Sequence, residues 1–258
     1  MIRFPTFIRK NVLNLLRSFG LDLRRLKNIV PGSQERPVGD MLSVLEDLRS
    51  RGLVVNGIID VGANRRDWAM TAHSVFPDAS ILMIEPQEEM VEPLQKLCST
   101  HPKFEHVKAG AGRESGELVQ TIWADLAGSS FLPATDKASL ESGTQRLTSV
   151  ATIDSLLESR PMFNPDLVKL DIQGFELEAL AGAAVTRSRA QVIIAEVSLF
   201  EFIPNQPRIR DVINAMFDYG FEFYDIAGEV RRPSDGALGQ IDVVFVQRCH
   251  LLRLSNIW

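Results

Sequence analysis

Ile58-Ile59-Asp60-Val61-Gly62-Ala63-Asn64, running on into Arg65-Arg66-Asp67-Trp68, decides how the rest of the chain is read. Ile58, Ile59 and Val61 make the unbroken apolar run expected of a central parallel strand covered on both faces. Gly62 gives the next turn freedom in φ and lets a ligand come close to the backbone. Asn64 tolerates left-handed geometry and can cap the helix that opens after it. Such a turn aims bare N–H groups and a helix N-terminus at one point, a pocket that seeks hydrogen-bond acceptors. An ordinary strand-turn-helix with an acid at the strand end carries the same pattern, so the stretch alone leaves its ligand open.

On both sides of this stretch the grammar is regular. Downstream, Trp68–Phe76 is a crossover helix and Ser80–Glu85 a second apolar strand, Ile81-Leu82-Met83-Ile84, ending in Glu85 before Pro86. Glu88–Cys98 follows as a helix, then a weaker strand at Phe104–Ala109 and strand candidates at Glu117–Trp123 and Leu147–Ala151. Leu167–Asp171 and Val192–Val197 are further buried strands, with helices at Phe175–Ala181 and Arg208–Tyr219. Phe221–Ile226 and Ile241–Val246 are expected to close the sheet as an antiparallel pair. Between them, Ala124–Gln145 is rich in Gly, Ser, Thr and Asp, a long polar loop of the kind that often carries function. Strands alternating with crossover helices predict an α/β, doubly wound, mainly parallel sheet.

Upstream the character changes. Val38–Arg51 has helical apolar spacing (Met41, Leu42, Leu45, Leu48) and is closed by Gly52. Before Pro31, Arg3, Arg9, Lys10, Arg17, Arg24, Arg25 and Lys27 face a single acid, Asp22, although the whole chain of 258 residues has a net charge of -5. That asymmetry sets off residues 1–52 as a basic, helical appendage and 53–258 as the main domain. Ile8, Val12, Leu15, Leu16 and Phe19 share one helical face, so residues 1–30 either lie on an anionic membrane or partner, or pack on the main domain with a solvated basic face. The acidic balance argues against nucleic acid as a partner. No apolar run reaches the length of a membrane span and no secretory signal is evident. Cys98 and Cys249 lie far apart and imply no disulfide framework, so a cytoplasmic protein, with membrane association through the basic segment left open, is expected.

In doubly wound sheets ligands bind beyond the carboxyl ends of the strands. Asp60, Glu85, Asp171 and Glu196 all fall at that edge on separate apolar strands, and buried acids cost stability unless they are paired or face a cleft. A nicotinamide dinucleotide would call for G-x-G-x-x-G, yet only Gly62 fits; Asn64 and Asp67 take the later positions, and Asp60 would repel a pyrophosphate. S-adenosylmethionine carries a sulfonium and an ammonium and no phosphate. Asp60 suits its methionyl portion, and Glu85 suits its ribose hydroxyls. Electrostatics favours S-adenosyl-L-methionine.

Taken together, Ile59-Asp60-Val61-Gly62-Ala63-Asn64, Ile84-Glu85-Pro86, Val168-Lys169-Leu170-Asp171-Ile172-Gln173-Gly174-Phe175-Glu176 and Ala195-Glu196-Val197 resemble the FkbM family of class I methyltransferases. Gly128-Ser129-Ser130, Val150-Ala151-Thr152-Ile153-Asp154, Tyr219-Gly220-Phe221 and Gln240-Ile241-Asp242-Val243-Val244-Phe245-Val246 extend the resemblance over Val54–Arg248, in order. It implies a seven-stranded Rossmann-like methyltransferase sheet with an antiparallel last strand and N-terminal helices. It also implies adenosylmethionine-dependent O-methylation of a sugar, glycan or natural-product hydroxyl, with Asp60, Gly62, Ala63, Asn64, Glu85 and Pro86 at the cofactor. One departure is Arg66, where the family usually has Gly; its side chain must turn away from the cofactor or the turn must differ.

Methyl transfer is an in-line displacement, and a hydroxyl acceptor must also lose a proton. Asp171 and Glu196 are the candidates for that work, with Glu176 behind them. They can act directly, or by holding a divalent cation that acidifies the acceptor, or they can be polar lining alone. The histidines show no ligand spacing, and Lys169 sits mid-strand beside Asp171. A non-catalytic, methyltransferase-fold binding protein is the second reading, with Arg66 its best support. The acceptor's identity and the oligomeric state are not legible.

Overall fold

The computed structural model describes residues 37–254; the basic N-terminal segment, with its expected membrane or partner contact, lies outside them. The main compact unit starts at Pro37, so the expected domain boundary at residue 52 falls inside it. The reason is helix α1, Met41–Ser50. Asp40 caps it by accepting a hydrogen bond from Ser43 N–H at 2.7 Å, and Gly52, at φ +102°, turns the chain out of it. Its Val44, Leu45 and Leu48 are buried in the same core as the central strands. That face would be exposed in a separate appendage.

Seven strands form the main sheet: β1 Gly57–Val61, β2 Ser80–Ile84, β3 Phe104–Val107, β7 Leu167–Leu170, β8 Val192–Ser198, β9 Phe221–Arg231 and β10 Leu238–Gln247. Their order is β3-β2-β1-β7-β8-β10-β9. β1 pairs in parallel with both β2 and β7, and β7 with β8, whereas β10 runs antiparallel between β8 and β9. The order reverses at β1, where β1 departs toward β2 on one side and β7 on the other, and this is where such sheets open a ligand crevice. Every residue of β1 and β7 is buried, as continuous apolar runs require of strands covered on both faces.

Helices α1, α2 (Asp67–Val75) and α3 (Val91–Thr100) cover one face; Ala69, Ala72, Val75, Leu94 and Leu97 pack there against Ile58, Ile81, Met83 and Ile194. Beyond a short helix α4 (Lys137–Ser142), helices α5 (Ile153–Glu158), α6 (Glu176–Ala181), α7 (Ala184–Arg189) and α8 (Ile209–Asp218) follow. From these, Ile153, Leu157, Ala179, Leu180, Val212 and Met216 pack the other face, on Ile59, Leu82, Val168, Ile193 and Phe245.

The strand candidates between β3 and β7 do not join the main sheet. β4 (Gly110–Ala111), β5 (Gly116–Thr121) and β6 (Gln145–Ala151) form a separate three-stranded sheet in the order β4-β6-β5. β5 and β6 expose much of their length, which suits a surface sheet, unlike the fully buried central strands. The expected long polar loop is accordingly shorter: α4 occupies its second half and Gln145 already opens β6. Among the described residues no helix is long and apolar enough to cross a membrane, and both cysteines are free thiols.

Candidate functional site

At the carboxyl ends of β1, β2, β7 and β8 lies a cleft of about 190 Å³, walled by Gly62, Asn64, Glu85, Pro86, Gln87, Gly110, Gln120, Ser129, Phe131, Asp171, Gln173 and Glu196, among others. Among the described residues no lysine or arginine lines it. An acidic cleft without basic groups suits a cation and repels a pyrophosphate.

The first wall is the turn after β1. Gly62 sits at φ +82°, and a Cβ there would lie 2.0 Å from the carbonyl oxygen of Asp171. This glycine therefore answers two demands at once, a left-handed backbone and contact with the neighbouring β7 turn. The N–H groups of Gly62 and Ala63 bond to the Ile84 carbonyl, fastening the turn to β2. Asn64 at φ +41° and Arg66 at φ +77° are left-handed as well.

Arg66 thus takes the backbone conformation a glycine would favour. Its exposed side chain lines a groove outside the cleft, with Arg65, Glu89 and Lys96. The departure costs backbone strain and leaves the cleft intact. Arg66→Gly is expected to raise stability by about 0.5–1 kcal/mol, the left-handed penalty less the entropy cost of glycine. Denaturant unfolding would measure this, and ligand affinity should not change.

Glu85 forms the second wall. Its carboxylate accepts from Asn64 N–H at 2.9 Å and from Gln87 N–H at 3.0 Å, one bond on each oxygen. Burial raises its pKa, and the two backbone bonds pull it back. The remaining lone pairs point the way for hydroxyl donors. Gln87 in turn donates to the Leu126 carbonyl and accepts from Ser129 Oγ, so the stretch 126–129 is tied over the cleft. Gln87, Gln120, Ser129, Phe131 and Gln173 were not picked from sequence as site residues. The polar composition of the loop was the available signal for Ser129 and Phe131; Gln120 had none, since its sheet was not foreseen.

Two of the expected site residues stand behind the lining. Ala63 is buried in the core on the α1 side. Asp60 is 1% exposed and points to that same face, with Oδ2 lacking a hydrogen-bond partner. Burial pushes its carboxyl up to about 7, partly opposed by Lys169, its register neighbour on β7. Asp60 shares its sheet face with Lys169, Asp171 and Glu196, but it lies inside β1, paired with Lys169, while Asp171 and Glu196 stand two residues further toward the strand ends and reach the cleft.

The third wall joins β7, β8 and β10. Gln173 Nε2 donates to Asp171 Oδ1 at 3.1 Å and to Glu196 Oε2 at 2.7 Å, and Gln240 Nε2 donates to the same Glu196 oxygen at 2.9 Å. Lys169 Nζ lies 3.2 Å from Asp171 Oδ2 and 3.0 Å from Asp242 Oδ1. Burial alone would lower the lysine pKa, yet Asp171, Asp242 and Glu196 outweigh it and hold the ammonium above its ordinary range. Burial, then the charge of Asp171, pushes Glu196 up to about 9. The two carboxylates therefore differ: Asp171 is 39% exposed and sits beside an ammonium, while Glu196 is held in its neutral form near neutrality.

Glu176 is 2% exposed and accepts from Ile172 N–H and Gly174 N–H, both at 3.1 Å. It clasps the tight turn after β7 and does not face the cleft. Among the described residues no group of three or more His, Cys, Asp or Glu is arranged to hold a metal ion. Between Asp171 and Glu196 stands the Gln173 amide, and the positive charge at Asp171 is supplied by Lys169, so this donor set does not fit a divalent cation.

A model of the methyltransferase FkbM domain matches residues 60–223, well over half of the chain. Methyltransferase 1 of Beauveria bassiana (strain ARSEF 2860) is 24% identical over 142 residues, covering 48% of this chain and 57% of its own length. Methyltransferase sdnD of Sordaria araneosa is 28% identical over 153 residues, covering 48% of this chain and 59% of its own. The chain thus spans less than two thirds of the length of these curated relatives. Among solved structures, a 1,6-didemethyltoxoflavin-N1-methyltransferase of Burkholderia thailandensis, bound to 1,6-didemethyltoxoflavin and S-adenosylhomocysteine, aligns over 96% of this chain and 92% of its own, with 10% identity and a TM-score of 0.44.

Proposed function

Because this chain belongs to the FkbM methyltransferase family, a family of S-adenosylmethionine-dependent enzymes, we propose that it transfers a methyl group from S-adenosylmethionine to a hydroxyl of a sugar, glycan or natural-product acceptor. The carrying observation is the cleft itself: three carboxyl groups, Glu85, Asp171 and Glu196, converge on it, and among the described residues no lysine or arginine lines it. Such a site attracts a sulfonium and an ammonium.

When bound, the donor supplies an electrophilic methyl carbon; the new C–O bond forms as C–S breaks, and sulfur keeps the electron pair. The residues of the chain do the rest. Gly62 lets the ligand approach the turn backbone, and Glu85 accepts from the ribose hydroxyls while its own backbone bonds keep it aimed. Asp171, partly open to the cleft, takes the acceptor proton as the oxygen attacks. Glu196 carries a proton near neutrality and presents the acceptor with a hydrogen-bond donor.

Calorimetry with S-adenosylhomocysteine tests the donor assignment. Glu85→Ala is expected to weaken that binding by about 1.5–3 kcal/mol, the range for lost charge-assisted hydrogen bonds. Wild-type affinity in the variant, or binding of NAD in its place, would refute the assignment. Assay of donor consumption with hydroxylated acceptors, with and without chelator, tests the transfer; firm donor binding with no transfer to any acceptor would favour the binding-protein reading.

A further inference from the structure

Lys169 is left over by the scheme above, and its surroundings are unusual for a lysine. Its side chain is 3% exposed, on a strand buried along its whole length. From β7 it reaches across β8 to bring its ammonium within 3.0 Å of Asp242 on β10 and 3.2 Å of Asp171 at the cleft. A buried ammonium is costly unless anions and hydrogen bonds compensate it, so this geometry is held on both sides.

Asp242 is held in its turn by an absence. It lies opposite Gly228 of β9 in the sheet register, and a Cβ at Gly228 would fall 2.0 Å from Asp242 Oδ2. The register slips just after this pair, so β9 bulges beside it. Gly228 is remote from the cleft lining, and the obstructed atom is the end of a movable side chain. An alanine there would displace the Asp242 carboxylate and need not disturb the sheet.

We propose that Lys169 is the positioning residue of methyl transfer: anchored by Asp242, for which Gly228 leaves room, its ammonium holds the Asp171 carboxylate in place at the cleft wall. The proposal rests on Asp171 being the base. The other charged or titratable groups facing Asp171 are Asp60, Glu85, Glu176 and Glu196, all acids. Lys169 is thus the countercharge for an otherwise acidic cluster.

The experiment compares wild type with Lys169→Met, Gly228→Ala, Asp242→Ala and the Gly228/Asp242 double variant in the methyl-transfer assay, with calorimetry of S-adenosylhomocysteine on each. Gly228→Ala should lower kcat about 10–100-fold, the scale for misplacing a catalytic group by about an ångström, with the acceptor KM and the S-adenosylhomocysteine affinity within about threefold of wild type. In the Asp242→Ala background, where the space is vacated, the same substitution should cost nothing further. Lys169→Met should likewise lower kcat far more than it changes the acceptor KM or the S-adenosylhomocysteine affinity. Gly228→Ala within threefold of wild-type kcat, an additive double variant, or wild-type kcat in a Lys169→Met protein that still binds S-adenosylhomocysteine would each overturn the proposal. A wild type that does not bind S-adenosylhomocysteine would instead overturn the methyltransferase reading of the cleft.

Discussion

Asp171→Asn is expected to lower kcat by about 10²–10⁴-fold, the range for a general base, while S-adenosylhomocysteine affinity stays near that of wild type. The asparagine is isosteric and keeps an oxygen for the amide of Gln173, 3.1 Å away, so the turn after β7 should survive. Glu196→Gln is the contrasting variant. Burial and the charge of Asp171 push Glu196 up to about 9, so near pH 7 a neutral glutamine replaces a group that is already neutral. A loss of less than about tenfold is expected there, far below that of a missing base. Steady-state kinetics on both variants checks the division of roles. Equal losses would show that the two carboxyl groups work as one unit, and near-wild-type turnover in both would reduce them to polar lining.

Through its proton, Glu196 also makes stability depend on pH. Its folded pKa lies above that of an exposed glutamate, about 4.3. The folded protein then keeps a proton that the unfolded chain releases, so this group's contribution is fully present below about pH 4 and is lost as pH rises toward 9. Glu196→Gln should therefore gain stability relative to wild type across that window, measured by denaturant unfolding at several pH values.

The second large effect is expected at Gly62. Alanine there meets the Asp171 carbonyl at 2.0 Å while being forced to φ +82°. The obstructing atom is backbone, so one of the two turns must move. A loss of about 3 kcal/mol is expected, combining roughly 1–2 kcal/mol for left-handed backbone with roughly 1–3 kcal/mol for overpacking. S-adenosylhomocysteine binding should fall below calorimetric detection, because the displaced turn carries Asn64 and its bond to Glu85. Unfolding and calorimetry on the purified variant check both. A Gly62→Ala protein with unchanged affinity would mean that the turn is not the cofactor wall.

Much of this was legible in the chain itself. Apolar runs in β1, β2, β7 and β8 marked central strands because burial on both faces leaves no room for alternation. Glu85, Asp171 and Glu196 were visible as acids closing such runs, and all three meet in one cleft. Asp60 shared that pattern and yet is buried behind the lining, since its place inside β1, level with Lys169, keeps it below the strand ends that Asp171 and Glu196 reach. A composition shift in the chain likewise says nothing about where the apolar face of α1 is buried, and that face joins the central core. Arg66 looked like a threat to the cofactor site, and only the backbone angles and the direction of its side chain place it outside.

Local pattern by itself determined the elements, their alternation and the turn after β1, because periodicity and turn chemistry are set by near neighbours in sequence. The partnership of Lys169 with Asp171 and Asp242, the room that Gly228 leaves, and the separate sheet over the cleft were decided only by tertiary structure. Those relations depend on β10 entering between β8 and β9 in one register. Asp242, 73 positions from Lys169 in the chain, acquires its electrostatic role only when that register brings its carboxylate to 3.0 Å from the buried ammonium.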